Sequence, residues 1–104
     1  MTRTNQLTKS ILALLKVRGW FAYRQNTGAA RYGNRMVFFG LPGAPDILAF
    51  KSGERNLGIE VKGTKRDCLS LKQKHWRWLW EQAGGTYIEA REIQDVLAVI
   101  GESQ

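Results

Sequence analysis

The sequence predicts an α/β fold in which helices cover the faces of a mixed β-sheet. Two observations support this class. Apolar residues recur at helical spacing near both ends of the chain, and short apolar runs of strand character lie between segments rich in glycine and proline. The length of 104 residues suits one domain, so we expect a single domain over 1–104.

The first helix is expected over residues 4–18, because Leu7, Ile11 and Leu15 form an apolar stripe and Gly19 ends it. Residues 25–35 are polar and contain two glycines, so a loop is predicted there. Strands are predicted at 20–24, 36–39, 46–50, 57–62 and 86–89, and further helices at 69–83 and 92–100.

The charge of the chain indicates the class of its partner. The net charge is +7, and residues 1–45 contain seven basic side chains and no acidic one. This distribution favours a polyanionic partner, most commonly nucleic acid. The alternative is that the positive charge only keeps the protein soluble.

Several classes of protein do not fit the sequence. No run approaches the ~18 apolar residues of a membrane helix, and the N-terminus lacks the apolar region of a signal peptide, so we expect a cytoplasmic protein without membrane contact. A single cysteine, Cys68, and a single histidine, His75, exclude an internal disulfide and a Cys/His zinc site.

The clearest hairpin signal joins the two strands that flank the turn segment KSGERN. If the turn is centred on Gly53, Asp46 lies opposite Glu60, with the two side chains about 5 Å apart. Glu60 and Lys62 are two residues apart in one strand and therefore share a face. Two carboxylates and an ammonium group are expected to converge on one side of the sheet.

This convergence predicts chemistry on a phosphodiester. Two carboxylates in contact repel each other, and a divalent cation such as Mg²⁺ removes the conflict because it prefers oxygen ligands. A neighbouring lysine can orient a water molecule and stabilise charge on a phosphate. For these three residues alone, an equal alternative is a surface hairpin in which Lys62 only pairs with a carboxylate.

Longer segments carry a resemblance to a known family. Pro45-Asp46, followed by Glu60-Val61-Lys62 fourteen residues after the aspartate, matches the PD-(D/E)XK nuclease signature. The segments RQNTGAARYG, GLPGAPDILAF, GIEVKG and LSLKQKHW resemble the VRR-NUC family (virus-type replication-repair nucleases), in particular its small stand-alone phage and prophage members. The resemblance extends from the first helix to about Ile88 and implies a restriction-endonuclease-like α/β/α fold.

The resemblance also implies an activity and its residues. It implies cleavage of DNA that depends on Mg²⁺, with Mn²⁺ able to substitute, and no organic cofactor. Asp46 and Glu60 become metal ligands, the backbone carbonyl of Val61 a third, Lys62 the catalytic lysine, and Gln73 a catalytic residue near the site. The family glutamate of the first helix aligns with Gln6, a weaker ligand for a hard cation, which leaves Gln6 as a possible metal or DNA contact.

Stand-alone members of this family are similar to Holliday-junction resolvases and act as homodimers. The resemblance therefore implies branched DNA as the substrate and a phage or prophage protein within a bacterial host. A DNA-binding module with the nuclease fold and little activity is the alternative, suggested by Gln6. An RNA nuclease is a third possibility.

Further residues are candidates for contacts with the DNA backbone. Phosphate contact and a solvated loop are equally good interpretations for Arg24, Asn26, Arg31 and Arg35. Phosphate contact is favoured for Lys65, Arg66 and Lys72, which lie close to the catalytic strand or to Gln73.

The aromatic run of the second predicted helix is interpreted mainly as structure. Trp76, Leu79, Trp80 and Ala83 share one helical face and are predicted to lie in the core. Trp78 points away from that face and is a candidate for a dimer interface or for stacking on an unpaired base, and a partly buried tryptophan without such a role is the alternative.

Overall fold

The computed structural model describes residues 2–25, 28–64 and 68–101. Their elements follow in chain order: α1 (Arg3–Val17), β1 (Phe21–Arg24), β2 (Gly28–Tyr32), β3 (Arg35–Phe39), β4 (Ile47–Phe50), β5 (Leu57–Val61), α2 (Leu71–Gln82), β6 (Thr86–Ala90) and α3 (Ile93–Ile100). Among these described helices, none has both the length and the apolar character needed to cross a membrane.

Four strands form a mixed sheet in the order β1-β4-β5-β6. The first two neighbouring pairs are antiparallel, and β5 and β6 are parallel. The pairing of β4 with β5 places Ile47 opposite Ile59 and Ala49 opposite Leu57. This is the register predicted from a turn centred on Gly53, so that prediction is confirmed.

The two faces of the sheet have different roles. On one face, Ile47 and Ile59 are fully buried with Ile11 and Leu15 of α1 and Val96 of α3. Because side chains alternate along a strand, Gly58 and Glu60 point to the opposite face, where α2 lies. The layers are therefore α/β/α, and the predicted fold class is confirmed.

Gly58 allows α2 to approach the sheet closely. A Cβ atom at this position would lie 3.2 Å from both Trp76 and Trp80 of α2. These two indole rings stack with centroids 4.8 Å apart, and the Trp80 Nε1–H donates to the carbonyl of Thr86 at 2.9 Å. The Trp pair thus fixes α2 over β5 and β6.

The predicted core face of α2 is only partly correct. Trp76 and Trp80 are half-buried, but Leu79 is 49% exposed and Ala83 is exposed. The reason is that the Trp pair makes the packing contact of α2, so the other residues of the stripe extend past the layer they were expected to cover. Trp78 is 57% exposed, in agreement with its predicted direction.

The loop predicted at 25–35 is wrong over 28–32, which form β2, and at Arg35, where β3 begins. β2 and β3 form a separate two-stranded antiparallel ribbon, with Gly28 opposite Phe39 and Tyr32 opposite Arg35. The sequence GAARY of β2 contains no β-branched residue and therefore carries little strand signal. It becomes a strand because it pairs with RMVFF across a turn in which Gly33 has a φ of +63°.

Candidate active site

The candidate site is built where β4 begins and β5 ends. Asp46 directly precedes β4, and its Oδ2 accepts a hydrogen bond of 2.8 Å from the backbone N–H of Val61. Glu60 lies on β5, next to Val61 and opposite Asp46 when the register is continued by one pair. The backbone pairing and this hydrogen bond together hold both carboxylates at the same end of the hairpin.

Glu60 is buried, and its carboxylate contacts Gln73 and Lys62. Its Oε2 accepts a hydrogen bond of 3.0 Å from Gln73 Nε2 and lies 3.7 Å from Lys62 Nζ. Lys62 Nζ in turn donates to Gln73 Oε1 at 3.2 Å and to the carbonyl of Cys68 at 3.3 Å. The Gln73 amide therefore links the carboxylate to the ammonium group.

The surroundings of Glu60 favour its neutral form. Burial and, secondly, the nearby charge of Asp46 raise the pKa of Glu60 from 4.5 to about 7, against the opposing effects of Lys62 and the Gln73 hydrogen bond. The protonated form of this carboxyl therefore persists to a higher pH than in an ordinary glutamate. A divalent cation between the two carboxylates would relieve their repulsion and favour the ionised form.

The donor atoms present suit a hard divalent cation. Asp46 and Glu60 supply carboxylate oxygens, the backbone of Val61 can supply a carbonyl oxygen, and Mg²⁺ is commonly held by one or two carboxylates together with water. In the parts of the chain that the structure describes, there is no cluster of three or more His, Cys, Asp or Glu side chains that could hold a metal ion. Water and substrate oxygens would therefore complete the coordination here.

The start of α2 fixes the position of Gln73. The Ser70 hydroxyl accepts from the Gln73 backbone N–H at 3.2 Å, and Gln73 Oε1 accepts from the Ser70 backbone N–H at 2.9 Å, which is a capping box. One side chain thus caps the helix and contacts both Glu60 and Lys62. The Ser-x-x-Gln spacing of this box was visible in the sequence as a signal for the helix start.

The similarity of this chain to known proteins lies in its structure. The sequence matches no family model and no curated protein. A solved structure entitled "VRR_NUC domain" aligns with a TM-score of 0.71 over 100% of both chains, at 16% sequence identity. The chain has the VRR_NUC fold.

Within this VRR_NUC fold, Gln6 lies beside the start of α3. It is exposed on α1 and lines a cavity with Arg91, Glu92 and Ile93, where α3 begins. Its neighbour Asn5 instead accepts a hydrogen bond of 3.3 Å from Arg24.

The predicted DNA contacts that the structure describes lie on β1, on the β2–β3 ribbon and on α2. Arg24 ends β1, and the next residue, Gln25, donates its backbone N–H to the Asp46 carbonyl at 2.6 Å. Arg31 and Arg35 are exposed on the β2–β3 ribbon, and Lys72 is exposed beside Gln73. The other three predicted contacts, Asn26, Lys65 and Arg66, lie outside the described residues.

A cleft of about 430 Å³ adjoins the site in this VRR_NUC fold. One wall is the β2–β3 ribbon and the other is the start of α2. Residues 40–44, the GLPGA segment, form its base. Its lining residues are Gly28, Ala29, Phe38, Gly40, Pro42, Gly43, Ala44, Ser70, Lys72 and Gln73. Because Gln73 belongs to both the cleft and the Glu60 network, the two are continuous.

Tyr87 is a feature of the site that sequence reasoning missed. It lies on β6, is 7% exposed, and its hydroxyl has no hydrogen-bond partner in the described structure. Burial, followed by the negative charges of Glu60 and Glu89, raises its pKa above the usual value for tyrosine. A lone tyrosine in a five-residue strand carries no signal that distinguishes it from a core residue.

Proposed function

We propose that the protein is a metal-dependent DNA endonuclease that hydrolyses phosphodiester bonds. The observation that carries the proposal is the contact of 3.7 Å between Lys62 Nζ and Glu60 Oε2. It lies at the end of the hairpin where Asp46 accepts a hydrogen bond from the backbone N–H of Val61. The VRR_NUC fold supports it at the level of architecture.

The residues have distinct roles in this proposal. Asp46, Glu60 and the Val61 carbonyl would hold Mg²⁺, or Mn²⁺ in its place. The bound cation would polarise the phosphate and lower the pKa of a water molecule. Lys62 would stabilise negative charge on the phosphate and orient the attacking water, while Gln73 would keep Lys62 and Glu60 aligned.

DNA is the proposed substrate because the chain is strongly basic. Its net charge is +7, Lys72 lines the cleft, and Arg31 and Arg35 are exposed on the ribbon that forms one wall of the cleft. Selectivity for branched DNA, with Holliday-junction resolution by a homodimer, is the finer part of the proposal and derives from the resemblance to stand-alone VRR-NUC proteins.

A cleavage panel tests the activity and the assigned residues together. Labelled duplex, flap, splayed-arm and four-way-junction DNA are incubated with the protein in Mg²⁺, Mn²⁺ or EDTA, while sedimentation measures the oligomeric state. We expect cutting in either metal and none in EDTA. Asp46→Ala and Lys62→Ala should each reduce the rate by at least about 10²-fold and retain DNA binding.

Lys74→Ala is the matched control, because Lys74 is an exposed lysine on the same helix as Gln73. It should cut at the wild-type rate. Retained cutting by Lys62→Ala would refute the role of the lysine. A wild-type protein that binds DNA but cuts nothing in either metal would instead be a binding module, and preference for an RNA version of the panel would identify an RNA nuclease.

A further inference from the structure

The cleft beside Gln73 has a wall that the proposed chemistry does not use. Phe38 lies on the ribbon and is 77% exposed, although it lines the cleft. It is paired across the ribbon with Ala29, a side chain too small to cover the phenyl ring. An aromatic face is thus presented to the cleft, within the same cavity as Gln73.

The charge around this ring is complementary to a nucleotide. Lys72 lines the opposite wall of the cleft. Arg31 is opposite Met36, two residues along the ribbon from the Ala29–Phe38 pair and closer to the turn. Because side chains alternate along a strand, Arg31 lies on the same face of the ribbon as Phe38. Residues 28–39, which form the ribbon, contain no acidic side chain. A ring for stacking with basic side chains on either side is how proteins bind unpaired nucleotides without reading their sequence.

The dimensions of the cleft indicate how much of the DNA enters. A volume of about 430 Å³ lies in the range of pockets that enclose small molecules, and it does not admit a segment of stacked duplex. A base can reach the ring only if it has left the helical stack. The cleft therefore fits a single unpaired nucleotide.

We propose that this Phe38 cleft binds one unpaired nucleotide of DNA next to the phosphodiester that is cut. The base stacks on Phe38 and its phosphate contacts Lys72, which directs the adjoining phosphate past Gln73 toward Glu60 and Lys62. The position beside the cut bond rests on the proposed nuclease function. The consequence is a preference for flaps, splayed arms and junction centres over continuous duplex.

A binding experiment in EDTA tests the cleft without requiring catalysis. A flap carrying 2-aminopurine as the unpaired base at the branch point is titrated with protein, and fluorescence is compared with that of a fully paired duplex. We expect quenching with the flap and none with the duplex. Phe38→Ala should abolish quenching and weaken flap binding about 5- to 100-fold, with duplex binding unchanged.

Two variants give the result its specificity. Phe38→Trp keeps an aromatic face and should retain quenching and flap affinity. Tyr32→Ala removes another exposed aromatic side chain of the ribbon, but one that lies on the opposite face, and should behave as the wild type. In Mg²⁺, Phe38→Ala should slow flap cleavage more than duplex cleavage.

Three results would overturn the proposal: equal weakening of flap and duplex binding by Phe38→Ala, no quenching with the wild type, or a change in oligomeric state on removal of Phe38. The last would show that a second copy of the chain covers the ring. Quenching that depends on Phe38 in a protein that cuts no DNA would support the nucleotide site and refute the nuclease function, so the two failures are distinct.

Discussion

Glu60 is a carboxylate that the fold removes almost entirely from water, since the residue is 7% exposed. The Gln73 amide and the Lys62 ammonium group compensate its charge in part, and Asp46 opposes it. A buried carboxylate of this kind costs free energy when it is ionised without a cation. A carboxylate at this position near the end of β5 is therefore explained by a role in ligand binding and not by a contribution to stability.

The pKa of Glu60 gives a prediction about stability in metal-free solution. Below about pH 4.5 the carboxyl is protonated in both the folded and the unfolded chain. Between about pH 4.5 and 7 the unfolded chain loses this proton first, so Glu60 should lower the free energy of unfolding as pH rises, by roughly 3 kcal/mol in total.

Urea unfolding in EDTA across this pH range measures the effect. Glu60→Gln should remove the decrease, because glutamine does not titrate. Added Mg²⁺ should stabilise the wild type above pH 7 and leave Glu60→Gln unchanged. A pH dependence that is the same in both proteins would show that other groups cause it.

Residue-level prediction from sequence succeeded where a strict period applied. Alternation along β5 and the turn at Gly53 determine which side chains share a face, so the meeting of Glu60 with Lys62 followed from the pattern. The residue of α1 that corresponds to the family glutamate is harder to identify from the sequence, because a shift of one residue turns a helix by about 100°. Gln6 and Asn5 consequently face different parts of the molecule.

At the scale of elements, the start of α2 joins helix capping to the site. Ser70→Ala removes the hydroxyl cap but leaves the Gln73 contacts to Glu60 and Lys62. It should cost about 1 kcal/mol of stability and change cleavage little. Gln73→Ala should cost similar stability but reduce the cleavage rate at least about 10-fold, because Lys62 and Glu60 lose their common partner.

Unfolding and single-turnover cleavage of the two variants at saturating DNA separate these effects. Equal rates for Ser70→Ala and Gln73→Ala would show that Gln73 acts only as a cap. A lower rate for Gln73→Ala with an unchanged DNA affinity would instead identify Gln73 as a positioning residue.

A glycine, Gly43, allows the GLPGA segment to lie in close contact with the start of α2. Gly43 has a φ of +85°, and a Cβ atom on it would overlap the backbone carbonyl of Lys72. Gly53 has a similar φ of +82°, but the space around it is open. Gly53→Ala should therefore cost about 1–2 kcal/mol from backbone strain alone, and Gly43→Ala about 1–3 kcal/mol more.

Denaturant unfolding of both variants checks this difference. Gly43→Ala should also lower cleavage, since the shift required at Lys72 displaces the start of α2 next to Gln73. Equal destabilisation by the two substitutions would contradict the close contact between the segment and the helix.

Elements whose stability depends on long-range pairing were the ones that sequence reasoning missed. β2 is composed of Gly, Ala, Arg and Tyr, and only its partner β3 has the apolar composition of a strand. The extent of the core face of α2 likewise depends on where the sheet ends beneath it, and helical periodicity does not contain that information.

At the scale of the whole molecule, the charge of +7 predicts how DNA binding depends on salt. Each neutralised phosphate releases a counterion, so four or five contacts should weaken binding by about 10²- to 10³-fold between 50 and 200 mM salt. Fluorescence anisotropy with labelled flap DNA in EDTA measures this slope. An affinity independent of salt would contradict a substrate recognised through its phosphate backbone.

A Mg²⁺ titration of flap cleavage tests whether the two carboxylates at the end of one hairpin hold a cation beside Lys62 and so cut DNA. Wild type is compared with Glu60→Gln, which keeps the shape of the side chain but not its charge. We predict a rate that rises to saturation with Mg²⁺ for the wild type and no measurable cleavage by Glu60→Gln at any Mg²⁺ concentration. Cleavage by Glu60→Gln at the wild-type rate would show that the Glu60 carboxylate does not hold the cation that cleavage requires.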